Sequence, residues 1–304
     1  MVKRKSMFHK MTTGDIIYIG ITYVMLTLLL VIVLYPLIFI LSASFSSPTA
    51  VMSGRVVLWP VDFTVQGYMV ILRNQNILRG FANSVFYTAV GTVVNVIITM
   101  IAAYPLSRKN LPGRRAITLF FGFTILFGGG MIPNFILVAN LGLLNTRWAM
   151  IIPGALSVWN MIIARTFFET TFSEELHEAA VLDGCSEFKC FLKIILPLSK
   201  AILAVMALFY AVGHWSSFFN AFLYLTDPSL YPLQIILRQI LVANQVSAEM
   251  LAEVGGGVGE ESREALAELL KYSLVVVASV PMLLVYPFAQ KHFVKGVMIG
   301  SVKG

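Results

Sequence analysis

Six stretches of this chain carry no Asp, Glu, Lys or Arg: residues 16–54, 80–107, 116–146, 148–164, 201–226 and 272–290. A helix needs about 20 mostly apolar residues to cross a bilayer, so runs of this size read as membrane spans. Strands of a membrane barrel would alternate apolar and polar residues over about ten positions. These runs are solid instead, as in LTLLLVIVLYPLIFIL (26–41) and SLVVVASVPMLLVYPF (273–288). The expected fold class is all-α: a polytopic membrane protein with six transmembrane helices. Only 12% of the residues are charged, about half the share in soluble domains. That is too few to cover a soluble sphere of 304 residues.

Sidedness follows from Lys and Arg, which accumulate in cytoplasmic loops. With the amino terminus inside, the inner segments hold fifteen such residues and the outer segments seven. Both termini are therefore expected in the cytoplasm. The organisation expected is an inner segment 1–15, a first helix with its outer loop 16–79, a core 80–290, and an inner tail 291–304. The basic start MVKRKSMFHK precedes an apolar run longer than a signal-peptide core, so the first helix reads as a retained anchor. No basic stripe interleaved with exposed aromatics suggests a nucleic-acid partner. Cys185 and Cys190 fall on the expected cytoplasmic side, where a disulfide is disfavoured, and two thiols without nearby histidines make no zinc site.

The longest inner loop, 166–200, reads TFFETTFSEELHEAAVLDGCSEFKCFLKIILPLSK. Two short helices fit it. The first starts at Ser173 as N-cap, with Glu174 and Glu175 in its first turn. Leu176, Ala179 and Ala180 share one face, and Gly184 after Asp183 supplies a left-handed stop. The second starts after Ser186, with Phe188, Phe191, Leu192 and Ile195 as its apolar face. Leu196-Pro197 precede the next membrane helix. Such a hairpin, with an Ala-Ala face and Glu178 beside it, suits docking by a partner protein.

Glu178-Ala179-Ala180, then Asp183-Gly184 and Leu196-Pro197, resemble the "EAA" loop of membrane subunits of bacterial ATP-binding-cassette importers. NSVFYT (83–88), AYPLSR (103–108), LGLLNT (141–146) and the ending QKHFVKGVMIGSVKG (290–304) resemble MalG-like carbohydrate permeases. FGGGMIPNF (127–135) and WNMIIARTFFE (159–169) are most similar to the branch serving complex oligosaccharides. The resemblance spans roughly residues 75–304. It implies a non-catalytic half-pore in the bacterial cytoplasmic membrane, surrounded by lipid. Its partners would be a second homologous permease, a homodimeric or heterodimeric cytoplasmic ATPase, and an extracellular solute-binding protein or lipoprotein that delivers an oligosaccharide. ATP and Mg would be bound by the ATPase; the chain has no nucleotide loop or cofactor of its own. Glu178 would meet a cationic group on the ATPase. The tail, with Lys295, Gly296 and Lys303, would also contact it.

Candidates for a sugar pathway are Trp159 and Asn160 in the fourth run and His214, Trp215 and Asn220 in the fifth. Aromatic faces and polar groups at membrane depth can serve a sugar, or can equally serve interhelical packing. The acidic, Gly-broken segment 227–264 reads as a solvated outer loop or as one that reaches toward a binding protein. A catalytic set is missing: no HExxH, no nucleophile elbow, no acidic pair within a run. The alternatives are a permease for a non-sugar solute or a stand-alone secondary transporter. The latter would be expected to show inverted repeats and buried ionisable groups.

Overall fold

The computed structural model describes residues 12–242 and 260–301, and the structural statements below concern these. The Gly-rich part of the outer loop, 243–259, and Lys303 lie outside the described residues. The described chain is helical, with no strand. It folds as two compact units: one combines the residues up to Ile71 with the last helix as far as Val276, the other runs from Leu72 to Val242 and resumes at Val277.

In the first unit, α1 (Thr13–Ser44) starts on a capping box. Thr12 Oγ1 accepts from the Asp15 N–H at 3.3 Å, and Asp15 Oδ2 accepts from the Thr12 N–H at 2.9 Å. Two orphan donors are thereby satisfied. No residue of α1 is buried before its last turn, Ser42–Ser44. There the chain turns back, fixed by Ser42 Oγ donating to the Leu58 carbonyl (2.6 Å) and the Val61 N–H donating to Ser46 Oγ (3.0 Å). The short helices α2 (Pro48–Met52) and α3 (Gln66–Arg73) follow. A Cβ added at Gly67 would run into the Ser273 side chain, so glycine permits the close approach of α3 to the last helix.

The second unit is built along α4 (Gln75–Ser107), whose first turn is capped by Asn74 Oδ1 accepting from the Ile77 N–H at 3.0 Å. Beyond it come α5 (Arg114–Leu126) and α6 (Met131–Asn140), separated by Gly128-Gly129-Gly130 and bent by 115°. Gly130 has φ +82°, a conformation that suits glycine. A single 3₁₀ turn (Arg147–Met150) leads through an irregular stretch to α7 (Val158–Thr171). The inner hairpin is α8 (Glu174–Leu182) and α9 (Glu187–Leu198), after which the chain bends by 82° at Ser199 into α10 (Lys200–Trp215). Then come α11 (Phe219–Tyr224), α12 (Leu233–Val242) and α13 (Glu260–Ser301). α4 packs along α7 and α10. Asn95 Nδ2 donates to the Gly154 carbonyl (2.9 Å), and the Tyr210 hydroxyl joins Thr99 Oγ1 (2.6 Å) to the Ser157 N–H (3.2 Å). These side chains satisfy the irregular backbone before α7, as the interior of a membrane requires.

The helical membrane architecture is as expected, and the count of six spans is not confirmed. Among the described residues, Thr13–Ser44, Gln75–Ser107 and Glu264–Pro287 are long and apolar enough to cross a membrane, and the two bent pairs raise the count to five if each pair is one span. The run 148–164 does not form one helix: Pro153 and Gly154 interrupt it, and α7 begins only at Val158. Its 14 residues rise about 21 Å, less than the hydrocarbon core of about 30 Å. The run 16–54 likewise ends as a helix at Ser44, and the expected tail from 291 continues as helical backbone to Ser301, carrying Lys295 and Gly296 with it. Absence of charge marks apolar chain, and it does not mark where glycine and proline divide that chain.

Candidate coupling site

The hairpin α8–α9 forms where the sequence places it, with a different buried face. α8 starts after Ser173, whose backbone is extended and whose side chain makes no cap hydrogen bond. It ends in a Schellman arrangement. Gly184 takes φ +75°, its N–H donates to the Val181 carbonyl (2.9 Å), and the Cys185 N–H donates to the Ala180 carbonyl (3.0 Å). Ser186 Oγ then accepts from the Lys189 N–H at the head of α9.

The inward face of α8 is His177 and Ala180, with Leu176 partly buried. Ala179 points outward with Glu178, so the two alanines do not share a docking face: a helix turns 100° per residue, and the seam passes between them. In α9 the buried residues are Cys190, Phe191 and Ile195, whereas Phe188 and Leu192 are exposed. A π-helical turn runs over Phe191–Ile195. It inserts one residue per turn, so the inward stripe advances by five from Cys190 to Ile195 instead of four. Leu196 is partly buried, and Pro197 is exposed in the short helical piece before the bend at Ser199.

The hairpin is anchored to the end of α4. The Phe191 ring stacks on Tyr104 at 4.9 Å between centroids, and Phe168 of α7 meets the same tyrosine edge-on at 5.9 Å. Ion pairs surround this core: Lys109 to Glu174 at 3.3 Å, and Arg114 to Glu169 at 2.6 Å, the latter carboxylate shared with Arg165 at 3.5 Å. His177 Nε2 lies 2.9 Å from Glu187 Oε1, and its Nδ1 lies 4.0 Å from Cys190 Sγ. No motif in the sequence marks this histidine. Its signal was spacing: it stands three residues before Ala180, on the same face. The free end of the hairpin consists of Glu178, Ala179, Leu182, Asp183 and Gly184, all exposed, with Leu182 at 88%.

A permease of the polygalacturonan/rhamnogalacturonan transport system of Bacillus subtilis, YtcP, is 40% identical to this chain over 282 residues, which cover 93% of this chain and 96% of its own. Protein LplC of the same organism is 40% identical over 273 residues, 90% of each chain. The chain belongs to the sugar ABC importer permeases. A solved structure of a bacterial ABC transporter involved in the import of the acidic polysaccharide alginate matches with a TM-score of 0.86 at 33% identity, covering 93% of this chain and 99% of that one. No family model matches the permease.

The candidate pathway residues of the permease are dispersed. Trp159 is 66% exposed, while the adjacent Asn160 is buried. Trp215 is buried, its Nε1–H donating to the Ala278 carbonyl at 2.8 Å and its ring meeting Phe81 edge-on at 5.7 Å. His214 fits against Gly91 of α4, where an added Cβ would collide with the imidazole. Asn220 is exposed in α11.

At the N-terminal end of α4, the NSVFYT and LGLLNT motifs hold the turn 224–233. Asn83 Nδ2 donates to the Ser229 (2.8 Å) and Tyr231 (3.1 Å) carbonyls, and the Tyr87 hydroxyl donates to the Leu230 carbonyl (2.8 Å). Asn145, at φ +56°, accepts at Oδ1 from the Thr226 (3.0 Å) and Asp227 (2.8 Å) N–H groups. The Asp227 carboxyl accepts from the Ser229 N–H at 2.8 Å, which holds its pKa below the usual carboxylate value.

Proposed function

We propose that this permease forms half of the translocation path for an oligosaccharide bearing uronic-acid units, and that the α8–α9 hairpin couples the path to a partner ATPase. A second homologous permease completes the path, and an extracellular binding protein or lipoprotein delivers the sugar. ATP and Mg belong to the ATPase. The subunit itself is non-catalytic and sits in the bacterial cytoplasmic membrane with both termini inside, a placement supported by the Lys/Arg distribution.

The observation that carries this reading is the division of the hairpin into a fixed half and a free half. His177, Ala180, Cys190, Phe191 and Ile195 are buried in the permease core, while Glu178, Ala179, Leu182 and Asp183 are exposed at the end. A push on the free end is therefore transmitted to the foot of α4 through packed side chains. The tail residues Lys295, Gly296 and Lys303 are proposed as a further contact with the ATPase. Trp159 and Asn220 are the exposed members of the proposed pathway set.

Two things support an acidic substrate. YtcP serves a polygalacturonan/rhamnogalacturonan system, and the structural match belongs to an alginate importer. Around the N-terminal end of α4, Arg73, Arg79, Arg147 and Arg238 are exposed, and Asp227 is the one carboxylate in residues 72–107, 116–165 and 201–242. Such an excess draws anions toward a surface. The test is uptake of an oligogalacturonate against its methyl ester in the reconstituted complex, with Cys at position 182 cross-linked to the ATPase. Preferred uptake of the acid, falling in Arg79→Gln/Arg147→Gln, is the expected result. Equal uptake of acid and ester removes the uronate reading, and absence of the cross-link removes the coupling reading.

A further inference from the structure

A pocket of about 400 Å³ opens where α4 meets the coupling hairpin. Ile101, Tyr104 and Pro105 of α4 form one wall, Arg108 stands at the rim, and Phe188 and Phe191 of α9 form the opposite wall. Its level is set by the sequence: the charge-free run of α4 ends at Ser107, and Arg108 is the first charge beyond it. The pocket therefore spans the change from hydrocarbon to polar surroundings. Its apolar rim is open, with Ile101 54% and Phe188 67% exposed.

Charge distinguishes this pocket from a bare groove. Among the nearby cations, Lys109 is paired with Glu174, and Arg114 with Glu169, a carboxylate shared with Arg165. On the pocket's far wall, His177 and Glu187 are paired with each other. The Arg108 guanidinium makes no hydrogen bond or ion pair among the described residues, although the residue is only partly exposed. A guanidinium without an ion pair beside an open apolar wall, at the edge of a span, complements a molecule with an anionic head and a hydrocarbon body. Basic pockets between membrane helices on the cytoplasmic side take anionic lipid headgroups in this way.

We propose that this pocket binds an anionic phospholipid of the inner leaflet, its phosphate at Arg108 and an acyl chain along Ile101, Pro105 and Phe188. Bound there, the lipid touches the same α9 wall that carries Phe191, so membrane composition acts on the set of the hairpin. That last consequence rests on the coupling reading; the binding itself does not.

The test uses the assembled complex in nanodiscs of phosphatidylcholine with graded phosphatidylglycerol, native mass spectrometry of retained lipid, and ATPase activity in parallel. The wild type is expected to retain phosphatidylglycerol preferentially. Arg108→Gln should lower that preference about fivefold, the worth of one basic side chain at a membrane surface, and Arg108→Lys should keep most of it. Equal retention by wild type and Arg108→Gln overturns the proposal. Displacement by inorganic phosphate alone also overturns it, because the site would then be one for a free anion. Arg108-dependent retention with an ATPase indifferent to phosphatidylglycerol supports the lipid site and overturns its action on the hairpin, while the cross-link at position 182 tests the coupling reading separately.

Discussion

His177 Nε2 and Glu187 Oε1, 2.9 Å apart, tie the first limb of the α8–α9 hairpin to the first turn of the second. The two ends of this bond differ: the Glu187 side chain is 67% exposed and that of His177 10%. Water can replace the carboxylate, so its loss is worth only the lower part of the usual range of about 0.5–1.5 kcal/mol. Glu187→Ala should therefore loosen the hairpin slightly, and Glu187→Gln, which keeps an acceptor, should loosen it less. His177→Ala should cost more, because it also opens a space beside Cys190 and Ala180. Hydrogen exchange over residues 174–198 measures all three. Equal exchange in all three variants and the parent would remove the pair from the account.

The Glu178 side chain is exposed and makes no hydrogen bond or ion pair among the described residues. Glu178→Ala should leave folding and membrane insertion intact. It should reduce binding-protein-stimulated ATPase activity and uptake by the loss of one charged hydrogen bond, about 1.5–3 kcal/mol or roughly ten- to hundredfold. Parental transport in that variant would show that the contact is absent.

Gly184 separates backbone from packing. Nothing lies within 4 Å of a Cβ built there, and φ is +75°. Gly184→Ala should therefore cost about 1–2 kcal/mol from the left-handed backbone alone. Val should cost more because of its branch, and Asn less. The same order should appear in the melting of the subunit and in coupling. An order that followed side-chain volume, with Asn worse than Ala, would contradict the Schellman stop as the cause.

At Gly91 the reasoning reverses, since an added Cβ meets the His214 ring. Gly91→Ala should destabilise by the 1–3 kcal/mol or so of an overpacked interface. His214→Ala in the same chain should return most of that loss. Additive losses in the double variant would mean that the two side chains do not share the space.

Asn145→Ala removes an acceptor from two backbone N–H groups and leaves a β-carbon in a left-handed conformation. A loss of about 1–3 kcal/mol is expected. Asn145→Gly, which keeps the conformation, should lose less. The neighbouring Asp227 sets the pH behaviour of the turn. Its pKa is lowered in the folded chain by the Ser229 N–H, so its contribution is present above the ordinary carboxylate value and is lost as pH falls through the lower, folded value. Protease accessibility of residues 224–233 should be flat from pH 7 to about 5 and rise only in stronger acid.

The hairpin was legible in the sequence because its punctuation is local: Ser186 as cap, Gly184 as stop, Pro197 before the bend. Its buried face was legible only in part. A period of 3.6 applied across residues 188–195 selects Phe188, Phe191, Leu192 and Ile195; Phe191 and Ile195 are buried as expected, whereas Phe188 and Leu192 are exposed and Cys190 is buried beside a π turn that tertiary packing decides. Trp215 shows a similar limit. Its type suggested a sugar platform, but its ring and N–H are engaged by Phe81 and Ala278, the latter 63 residues away in sequence. Asn83 and Asn145 stood inside motifs already noted, yet their partners are backbone groups of a distant turn, for which sequence carries no pattern.

Helix α1 buries nothing of itself until Ser42. As far as this chain's own fold is concerned, positions 16–37 must be apolar and helical and nothing more specific. Tolerance to exchange among Leu, Ile, Val, Phe and Met should be broad there, should narrow at Phe39, whose ring meets Tyr272 edge-on at 5.7 Å, and should end at the buried Ser42, Ala43 and Ser44. Any residue-by-residue constraint that a mutational scan finds within 16–37 is then imposed by another protein, and its period along the helix would draw the outline of that neighbour.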